Sequence, residues 1–558
     1  MKGRGLEKMD RFLNANLQAL AKTDPALSAR LAAAAHLHRY GFVRSRSGEP
    51  IPTLAAPSGG VRPLHSLVDP VREGRRLIST VKDAGFLVFF GLGGGFAITA
   101  ALEREDIQHI LVIDYDINGV AELLDSKPYP GLWQDPRVHI LVDPPPELIK
   151  GYILEHYQPV LYRGIQVIPL RIRIDAEPER FSAAGEGINE AITRISGDYS
   201  VQAHFGARWF SNILRNLLRM KPVPDPLPAL NQAAICAAGP SLDIQLPGLA
   251  KKRRHCFLLA TDTSLPSLLH AGLVPDAVVS IDCQHISYYH FMQGLPGHIP
   301  LYLDVASPPV VASQVLHPRF FSGGHPLTRY VSQYWRPLPL VDTSGGNVTY
   351  AALSLADCLG AKQVELYGAD FAYPLGRTYA RGTYLYPFFD ARQTRLAPLE
   401  TLWSALLYRS PELKRIQPGD AWYYETPTLS RYRRLLEEKI PFLRAQVIPA
   451  EGLGAPLRIR KQQEALPPGQ EGRFLKASMP VQDFIAAYRK KICSLPALTG
   501  TVQTYLQGLT ETQGPVLTTL LPLAAAIQHR TPFLGPGELI EAVRDACVKK
   551  IDALLGRI

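Results

Sequence analysis

Cysteine is scarce in this sequence, and the few cysteines present lie far apart. Six occur among 558 residues, and no two of them form a CxxC pair. Structural zinc sites and disulfide frameworks both require cysteines at short or regular spacings. Neither kind of site is indicated, and we expect the cysteines to be buried free thiols.

Long uninterrupted apolar runs are also missing. The most apolar uncharged stretch, residues 86–102, is broken in its middle by four glycines, so it is too short to span a membrane. The first residues, Met1 to Lys8, carry several charges and do not have the pattern of a secretory signal. We therefore expect a soluble, cytoplasmic protein without a membrane span.

The sequence lacks the interleaved basic and aromatic residues of a single-strand nucleic-acid binder. Its net charge is +10 and its pI is about 9.2, which favours anionic partners such as a nucleotide, a nucleic acid or a membrane surface. The basic residues form short clusters instead, for example at 251–254 and 458–461. A basic surface exposed to water explains such clusters better than a nucleic-acid site does, so no nucleic-acid partner is expected.

The length and the composition predict several folded domains. With 558 residues, 46% of them hydrophobic and 20% charged, the chain exceeds one typical domain, and most of it should fold. Strand and helix patterns alternate and then become purely helical, which predicts an α/β fold class: two Rossmann-like α/β domains and a C-terminal helical domain. A run with four prolines at 221–228 marks the clearest boundary. The predicted limits are 1–46 for an N-terminal helical segment, 60–220 and 229–455 for the two α/β domains, and 465–558 for the helical domain.

The first α/β domain contains a glycine-rich turn between two predicted strands. The strand at 86–90 is followed by Gly91–Gly95, a helix, and a second strand that ends in Asp114 and Asp116. Glycines there let backbone NH groups approach a phosphate, and the acid can bind ribose hydroxyls. Tight turns between a strand and a helix also use glycine for steric reasons alone. Both interpretations stay open.

Three loops of the second α/β domain follow predicted strands or open a predicted helix. Because the carboxyl ends of parallel strands meet at one edge of a sheet, we expect these loops to form one ligand site. Glycine allows a close backbone approach, and small polar side chains at a helix N-terminus can bind a phosphate or a ribose. Helix capping alone would also explain many of these residues. The candidate binding residues are Gly239, Pro240, Ser241, Thr261, Asp262, Thr263, Ser344, Gly345, Gly346 and Asn347.

Taken together, the motifs of this domain resemble those of the motility-associated factor (Maf) flagellin glycosyltransferases, whose central domain is similar to bacterial sialyltransferases. The matching segments are 208–216 (RWFSNILRN), 239–243 (GPSLD), 273–282 (LVPDAVVSID) and 345–370, which begins with GGNV and ends with YGAD. The match spans about residues 205–373, and it is specific as an ordered set of motifs.

The resemblance implies a glycosyltransferase that moves a nonulosonic acid, such as pseudaminic or legionaminic acid, from a CMP-activated donor to Ser or Thr of flagellin. This activity would support flagellar assembly and motility. The donor would bind across the three loops at 239–241, 261–263 and 344–347. The implied partners are flagellin and the CMP-sugar, with no tightly bound cofactor; a divalent metal is possible but is not indicated.

One departure from the family concerns the catalytic base. The similar sialyltransferases use a histidine that comes after the last of these motifs, whereas the only histidine beyond Asp370 in this chain is His529, in the helical tail. The assignment of the base therefore does not carry over. The catalytic candidates are Asp282, His285 and Asp370, of which Asp282 or His285 would take the proton from the acceptor.

The segment after Asp370 could act as a lid. It is rich in glycine, arginine and aromatic residues, and its basic groups could stabilise a departing phosphate. An ordinary aromatic-rich loop is the alternative interpretation. The residues concerned are Arg377, Tyr379, Arg381, Tyr384 and Tyr386.

Two other functions fit the same motifs. The central domain also resembles an archaeal pterin pyrophosphokinase-like group, in which Asp262, Asp282 and Asp370 would hold magnesium for a transfer from ATP. A non-catalytic flagellar assembly factor is the other alternative. The large flanking domains favour a protein acceptor over a small pterin, because a small substrate does not need so much additional surface.

Overall fold

The computed structural model of the chain describes residues 6–34, 38–55, 60–220, 230–316, 318–418, 422–459 and 477–556, without the side chains of 6–11 and of Pro130. The proline-rich run at 221–228, the basic pair at 460–461 and the predicted domain limits at 1, 229, 465 and 558 lie outside these residues.

The chain forms two compact units. The first comprises residues 1–204, 495–514 and 521–544, and the second comprises residues 205–494, 515–520 and 545–558. Helices near the C-terminus contribute to both units. The limits of the four domains stay a prediction.

The first unit is built around a parallel sheet and a small antiparallel sheet. Its elements up to the division are α1 (Leu6–Leu20), α2 (Pro25–Ala32), β1 (Gly41–Arg44), β2 (Pro50–Ala55), β3 (Val61–Pro63), α3 (Pro70–Ser79), β4 (Phe86–Phe90), α4 (Phe96–Leu102), β5 (His109–Asp114), α5 (Ile117–Ser126), α6 (Pro130–Gln134), β6 (Val138–Val142), α7 (Pro146–His156), α8 (Pro159–Tyr162), β7 (Ile165–Pro169), α9 (Arg171–Ala176) and the start of α10 (Pro178–Leu217).

The parallel sheet of the first unit has the strand order β6-β5-β4-β7. Every residue of β4 and β5 is buried. Continuous apolar strands of this kind are typical of a parallel sheet covered on both faces, because neither face meets water. The strands predicted at 86–90 and 110–113 are confirmed.

The second unit is built around a larger sheet. Its elements, in chain order after α10, are β8 (Gln232–Cys236), α11 (Leu242–Lys252), β9 (Phe257–Thr261), α12 (Leu265–His270), β10 (Ala277–Ser280), β11 (Leu301–Asp304), α13 (Pro309–Ala312), β12 (Arg319–Phe321), α14 (Pro326–Tyr334), α15 (Val348–Cys358), β13 (Gln363–Tyr367), β14 (Tyr373–Pro374), α16 (Leu385–Asp390), α17 (Leu399–Leu407), β15 (Lys414–Ile416), β16 (Tyr423–Glu425), α18 (Pro427–Lys439) and β17 (Gln446–Pro449). Short 3₁₀ helices cover Arg253–His255, Asp262–Ser264, His285–Phe291 and Ile440–Phe442.

The larger sheet is parallel, with seven strands in the order β12-β11-β10-β9-β8-β13-β17. The order changes direction between β8 and β13. Strands β9 to β12 lie on one side of β8, whereas β13 and β17 lie on its other side. Ligands of open α/β sheets bind outside the carboxyl ends of the strands at such a switch point. The predicted α/β fold class with Rossmann-like sheets is confirmed.

The described residues after 477 contain only helices. They are α19 (Val481–Cys493), α20 (Val502–Gly508), α21 (Gln513–Arg530) and α22 (Pro536–Leu555). None of the helices in the described ranges, including the 40-residue α10, combines the length and the apolar character needed to cross a membrane.

All six cysteines are free thiols, but only three of them are buried. Cys236, Cys283 and Cys547 lie in the interior, whereas Cys493 is exposed. The expectation of buried thiols is therefore wrong for the remaining three. Cys493 is the last residue of α19 and is exposed, a position that the spacing of cysteines does not reveal.

Two histidines of the first sheet share a partly buried hydrogen-bond acceptor. The side-chain oxygen Oε1 of Gln503, in α20, lies 3.1 Å from Nδ1 of His109 and 3.1 Å from Nε2 of His139. Tyr152 lies 3.0 Å from Nε2 of His109. Burial lowers the pKa of His109 well below its usual value, with the neighbouring histidines lowering it further, and burial also lowers the pKa of His139.

This arrangement predicts that the first unit loses stability in mild acid. The unfolded chain binds protons at these histidines from about pH 6.5 downwards, whereas the folded chain binds them only at lower pH, so stability is complete above about pH 6.5 and falls below it. Each histidine contributes a slope of at most about 1.4 kcal/mol per pH unit. Urea unfolding followed by circular dichroism between pH 8 and pH 5 measures the effect.

Two variants test whether these two histidines cause this dependence of stability on pH. His139→Gln should flatten the loss of stability in acid, because one proton-binding residue of the unfolded chain is gone. His298→Gln removes an exposed histidine and should leave the slope unchanged. An equal slope in wild type and His139→Gln would contradict this account.

Candidate functional site

The candidate site lies at the carboxyl edge of the larger sheet. Residues 237–241 connect β8 to α11, residues 262–264 follow β9, and residues 281–284 follow β10. Residues 343–347 open α15. The three loops predicted from sequence therefore all belong to the second unit. The first two of them and the loop with Asp282 sit at neighbouring strand ends.

Ser241 and Asp370 join the ends of three strands at the switch point. The backbone NH of Ser241 donates to Oδ2 of Asp370 over 2.8 Å, and the NH of Leu453 donates to Oγ of Ser241 over 2.7 Å. The NH of Gly239 donates to the carbonyl of Gly368 over 2.9 Å. These bonds connect the loops after β8, β13 and β17. The polar atoms of Ser241 are thus used within the protein, and the side chain is fully buried.

Glycine is required where this loop meets Asp370. A Cβ at Gly239 would stand 2.4 Å from Oδ2 of Asp370, and a Cβ at Gly454 would stand 2.5 Å from its Cα. Burial raises the pKa of Asp370, although the hydrogen bonds from Ser241 lower it. The structure places this predicted catalytic carboxyl group in a packed interior, where it positions the loop. Pro240, next to Gly239, is also buried.

The loop after β9 is held by its own side chains and by β10. The hydroxyl of Thr261 donates to the carbonyl of Cys236 over 3.1 Å. Oδ1 of Asp262 accepts the NH of Thr263 over 2.7 Å, and its Oδ2 accepts the hydroxyl of Ser280 over 2.6 Å. Asp262 is 1% exposed. Of the three residues predicted to bind a ligand here, Thr263 is the one that is partly exposed.

Asp282, one of the predicted catalytic residues, is partly exposed. Its Oδ1 accepts the NH of Gln284 over 2.8 Å. Burial raises the pKa of Asp282, the nearby Asp262 raises it further, and the charges of His290 and Arg208 lower it. The 3₁₀ helices that contain Asp262 and His290 contact each other here. His285, the other candidate, is exposed at the start of the 3₁₀ helix.

His290 is a functional candidate that sequence reasoning missed. Its Nδ1 atom is buried and has no hydrogen-bond partner among the described residues. Its ring packs edge-on against Tyr384, with 4.7 Å between ring centroids. Both His285 and His290 lie in the segment His-Ile-Ser-Tyr-Tyr-His, and nothing in that segment shows which of them turns inward. The 3₁₀ helix leaves His285 exposed and turns His290 inward.

Aromatic side chains connect the loops of the site. Burial raises the pKa of Tyr384, and the charges of Asp262 and Asp282 raise it further. Burial raises the pKa of Tyr432, which Asp282 raises further. Tyr432, in α18, also meets the third loop, because a Cβ at Gly346 would stand 3.2 Å from its ring. Sequence gives no sign of this role for Tyr432.

The segment predicted as a lid is docked onto the first loop. The NH of Ala380 donates to the carbonyl of Ala238 over 2.9 Å, and Arg377 forms an ion pair with Asp243. Burial raises the pKa of Tyr379 strongly. Tyr386 is half-buried, and Arg381 is exposed.

The third loop is fastened at its base and open at its tip. Oδ1 of Asn347 accepts the NH of Tyr350 over 3.0 Å and caps α15. A Cβ at Gly345 would stand 2.2 Å from the Tyr350 ring. Ser344 and Gly346 are exposed at the helix N-terminus, although their NH groups already donate to Asp342 and to the carbonyl of Thr343.

A half-buried ion pair supports this loop. Lys439 Nζ lies 2.8 Å from Oδ2 of Asp342, whose Oδ1 accepts the NH of Ser344 over 3.0 Å. Burial raises the pKa of Asp342, but Lys439 and Ser344 outweigh it and lower the pKa to about 2. Lys439 is almost a hundred residues from Asp342 in sequence, so the pair could not be predicted from spacing.

Helix α10 fixes two further strand ends. The side-chain amide of Asn212 donates to the carbonyls of Cys283 (3.2 Å) and Ala306 (2.8 Å). The amide of Asn216 donates to the carbonyls of Val305 and Ser307, each over 2.8 Å. The asparagines of the RWFSNILRN motif thus hold the loops after β10 and β11.

The glycine turn of the first unit is filled by the protein's own side chains. The NH of Leu92 donates to Asp114 over 2.7 Å, and the NH of Gly94 donates to Nε2 of His65 over 2.8 Å. A Cβ at Gly91 would stand 3.0 Å from Arg173, which forms a fully buried ion pair with Asp114 over 2.7 Å. Of the two interpretations left open, these contacts favour the steric one.

No three His, Cys, Asp or Glu side chains in the described part of the chain are grouped so that they could hold a metal ion.

Comparison with known proteins gives one family match and several relatives. The family model "6-hydroxymethylpterin diphosphokinase MptE-like" matches residues 208–376. An uncharacterised protein of Treponema pallidum (strain Nichols) is 35% identical over 156 residues, which are 27% of this chain and 55% of that protein. A second uncharacterised protein of this organism is 33% identical over 155 residues, which are 27% of this chain and 74% of that protein.

The chain belongs to the same family as the second Treponema protein, most of whose length it covers. It spans about half the length of the first. Among solved structures, it is similar to the Maf glycosyltransferase of Magnetospirillum magneticum AMB-1, with a TM-score of 0.55 and 15% identity over 98% of this chain and 96% of that one. The resemblance to the Maf glycosyltransferases is confirmed at the level of the fold.

The packing around Asp370 predicts that Gly239→Ala lowers the free energy of unfolding. Its Cβ would displace the Asp370 carboxylate and break the bond to Ser241, at a cost of about 1–3 kcal/mol. Urea unfolding followed by tryptophan fluorescence measures the change.

Gly248→Ala is the matched control. Gly248 lies in the adjacent helix α11, and a Cβ there meets nothing within 4 Å. This substitution should raise stability by up to about 1 kcal/mol, because alanine favours a helix interior. Equal effects of the two substitutions would show that Gly239 is not confined by Asp370.

Proposed function

We propose that this protein is a glycosyltransferase that uses a nucleotide-activated sugar. The observation that carries the proposal is the likeness to a Maf glycosyltransferase, which extends over 98% of this chain and includes both units. The motifs at the carboxyl edge of the larger sheet support the same activity, since this edge is where open α/β sheets bind their ligands.

The donor in this proposal is a CMP-activated nonulosonic acid, bound at the switch point of the larger sheet. The exposed tip of the third loop, at Ser344 and Gly346, is suited to a phosphate because it lies at the N-terminus of α15, the positive end of the helix dipole. Thr263 is partly exposed at the end of β9 and is suited to the ribose. Gly239 and Ser241 contribute by shaping the crevice. No tightly bound cofactor enters the proposal.

The acceptor in this proposal is a Ser or Thr hydroxyl of flagellin, glycosylated in the cytoplasm. Its oxygen attacks the anomeric carbon of the sugar, the bond from that carbon to the CMP phosphate breaks, and the hydroxyl proton passes to a base. We assign the base to His290, because its buried Nδ1 has no partner among the described residues and lies in the neighbourhood of Asp282. Asp282 would stabilise the protonated imidazole.

A diphosphokinase acting on a hydroxymethylpterin is the second candidate. The match of the MptE-like family model to residues 208–376 favours it, since this segment contains most of the candidate site. In that reaction, Asp262, Asp282 and Asp370 would be the acids available for magnesium. The hydrogen bonds that already occupy Asp262 and Asp370 speak against them as ligands.

Product analysis distinguishes the two candidates. Purified protein is mixed with CMP-nonulosonate and flagellin, and separately with ATP, magnesium and hydroxymethylpterin, and all products are weighed by mass spectrometry. We expect flagellin to gain the mass of the sugar residue and CMP to be released. A pterin diphosphate without modified flagellin would overturn the proposal, and transfer from a UDP-sugar alone would overturn the assignment of the donor.

The role of His290 predicts a selective loss of catalysis. His290→Gln should lower kcat by about 10²- to 10⁴-fold with little change in KM, because the acceptor hydroxyl loses its proton acceptor. His285→Gln, at the exposed start of the same 3₁₀ helix, should leave both constants unchanged. If His285→Gln gives the larger loss, the assignment of the base is wrong.

A further inference from the structure

The first unit contains a cavity of about 770 Å³ beside its glycine turn. Helices α3, α4 and α6 form its walls, together with Lys127–Tyr129 after α5. Most of the wall is apolar, with Val71, Ala100 and Leu132 among its members. This cavity is separate from the crevice at the larger sheet, since every lining residue belongs to the first unit.

The last two glycines of the turn make room for two rings of this wall. A Cβ at Gly94 would stand 2.4 Å from the ring of Phe96, and a Cβ at Gly95 would stand 2.8 Å from the ring of Tyr129. The turn therefore has a steric role that the sequence motif does not reveal. Its glycines let Phe96 and Tyr129 lie directly against the backbone.

These two rings lie beneath the ammonium group of Lys127. Nζ is 3.8 Å from the centroid of Phe96 and 5.0 Å from that of Tyr129. No hydrogen bond or ion pair joins this ammonium group to another described residue. Burial lowers the pKa of Lys127 to about 8, although Glu49 raises it. A half-buried cation whose contacts are aromatic faces still lacks an acceptor for its NH groups.

The other charged groups of the cavity do not supply that acceptor. Glu103 is paired with Arg75 over 2.8 Å, and Asp135 is paired with Arg137 over 2.8 Å. Glu49 lies beyond ion-pair distance of Lys127. Among the described residues that line the cavity, the ammonium is thus the cation that is free to bind an anion from solution, in surroundings that favour an apolar body.

We propose that this cavity binds a small organic anion with an apolar or aromatic body, whose anionic group pairs with Lys127. The apolar part contacts the side chains of α3 and α4. The site is independent of the proposed transferase reaction. Charge-assisted hydrogen bonds in such partly dehydrated surroundings are stronger than at an open surface.

The test uses two fluorescent probes of similar shape and different charge. Anilinonaphthalene sulfonate is an aromatic anion, and phenylnaphthylamine is its uncharged analogue. We expect one sulfonate probe to bind per chain, and Lys127→Met to weaken it at least about tenfold. Lys127→Met should leave the affinity for the uncharged probe unchanged, and Lys127→Arg should retain binding of the anion.

Two controls test whether the anion binds in this cavity and not elsewhere on the protein. Lys150→Met removes a lysine that is paired with Glu190 elsewhere in the first unit, and it should not change the affinity for the anion. Saturating CMP should not displace the probe, whatever the fate of the proposed transferase activity. Equal sulfonate affinity in wild type and Lys127→Met, absence of binding to wild type, or equal weakening of both probes overturns the proposal.

Discussion

The carboxylate of Asp370, packed between glycines at the carboxyl edge of the larger sheet, is the constraint on which the candidate site depends. It accepts the NH of Ser241 after β8, while the backbone of its own loop bonds to the loop after β17. Three neighbouring strand ends are thereby held in one geometry. The approach is possible only because Gly239 and Gly454 carry no side chain. A ligand that binds at the switch point meets a surface whose shape is set before it arrives, so little binding energy is lost in ordering it.

In both sheets, the role of a glycine-rich loop depends on whether the protein itself pairs the NH groups of the loop. In the first unit, the amides of the glycine turn are satisfied by Asp114 and His65, and Arg173 occupies the space above Gly91. In the second unit, the interior of the first loop is also satisfied, and the loop that opens α15 pairs the NH groups of Ser344 and Gly346 internally while its tip stays exposed. A glycine-rich turn after a parallel strand therefore does not by itself define a phosphate site. What matters is whether the protein already supplies the partners of its NH groups.

The predictions that concern backbone pattern are confirmed most fully. Apolar runs such as 86–90 and 277–280 form buried parallel strands, and the order of motifs after 205 corresponds to a real arrangement of loops on one sheet. The buried polar partners could not be predicted in the same way. Ser241 and Asp370 are 129 residues apart, and Ser241 and Leu453 are 212 residues apart. Spacing in the sequence carries no information about such contacts, because they form only when strands from distant parts of the chain become neighbours.

The sequence by itself determined the fold class, since alternating strands and helices of these lengths have few ways to bury their apolar faces other than a parallel sheet covered by helices. It also located the loops at the carboxyl ends of the strands. The tertiary structure alone decided which polar groups in those loops are free. Asp370 and Asp262 are occupied by protein hydrogen bonds, whereas the Nδ1 atom of His290 and the ammonium of Lys127 have no such partner among the described residues. The physical reason is that a polar side chain is available to a ligand only if folding has not already paired it, and that pairing depends on neighbours in space.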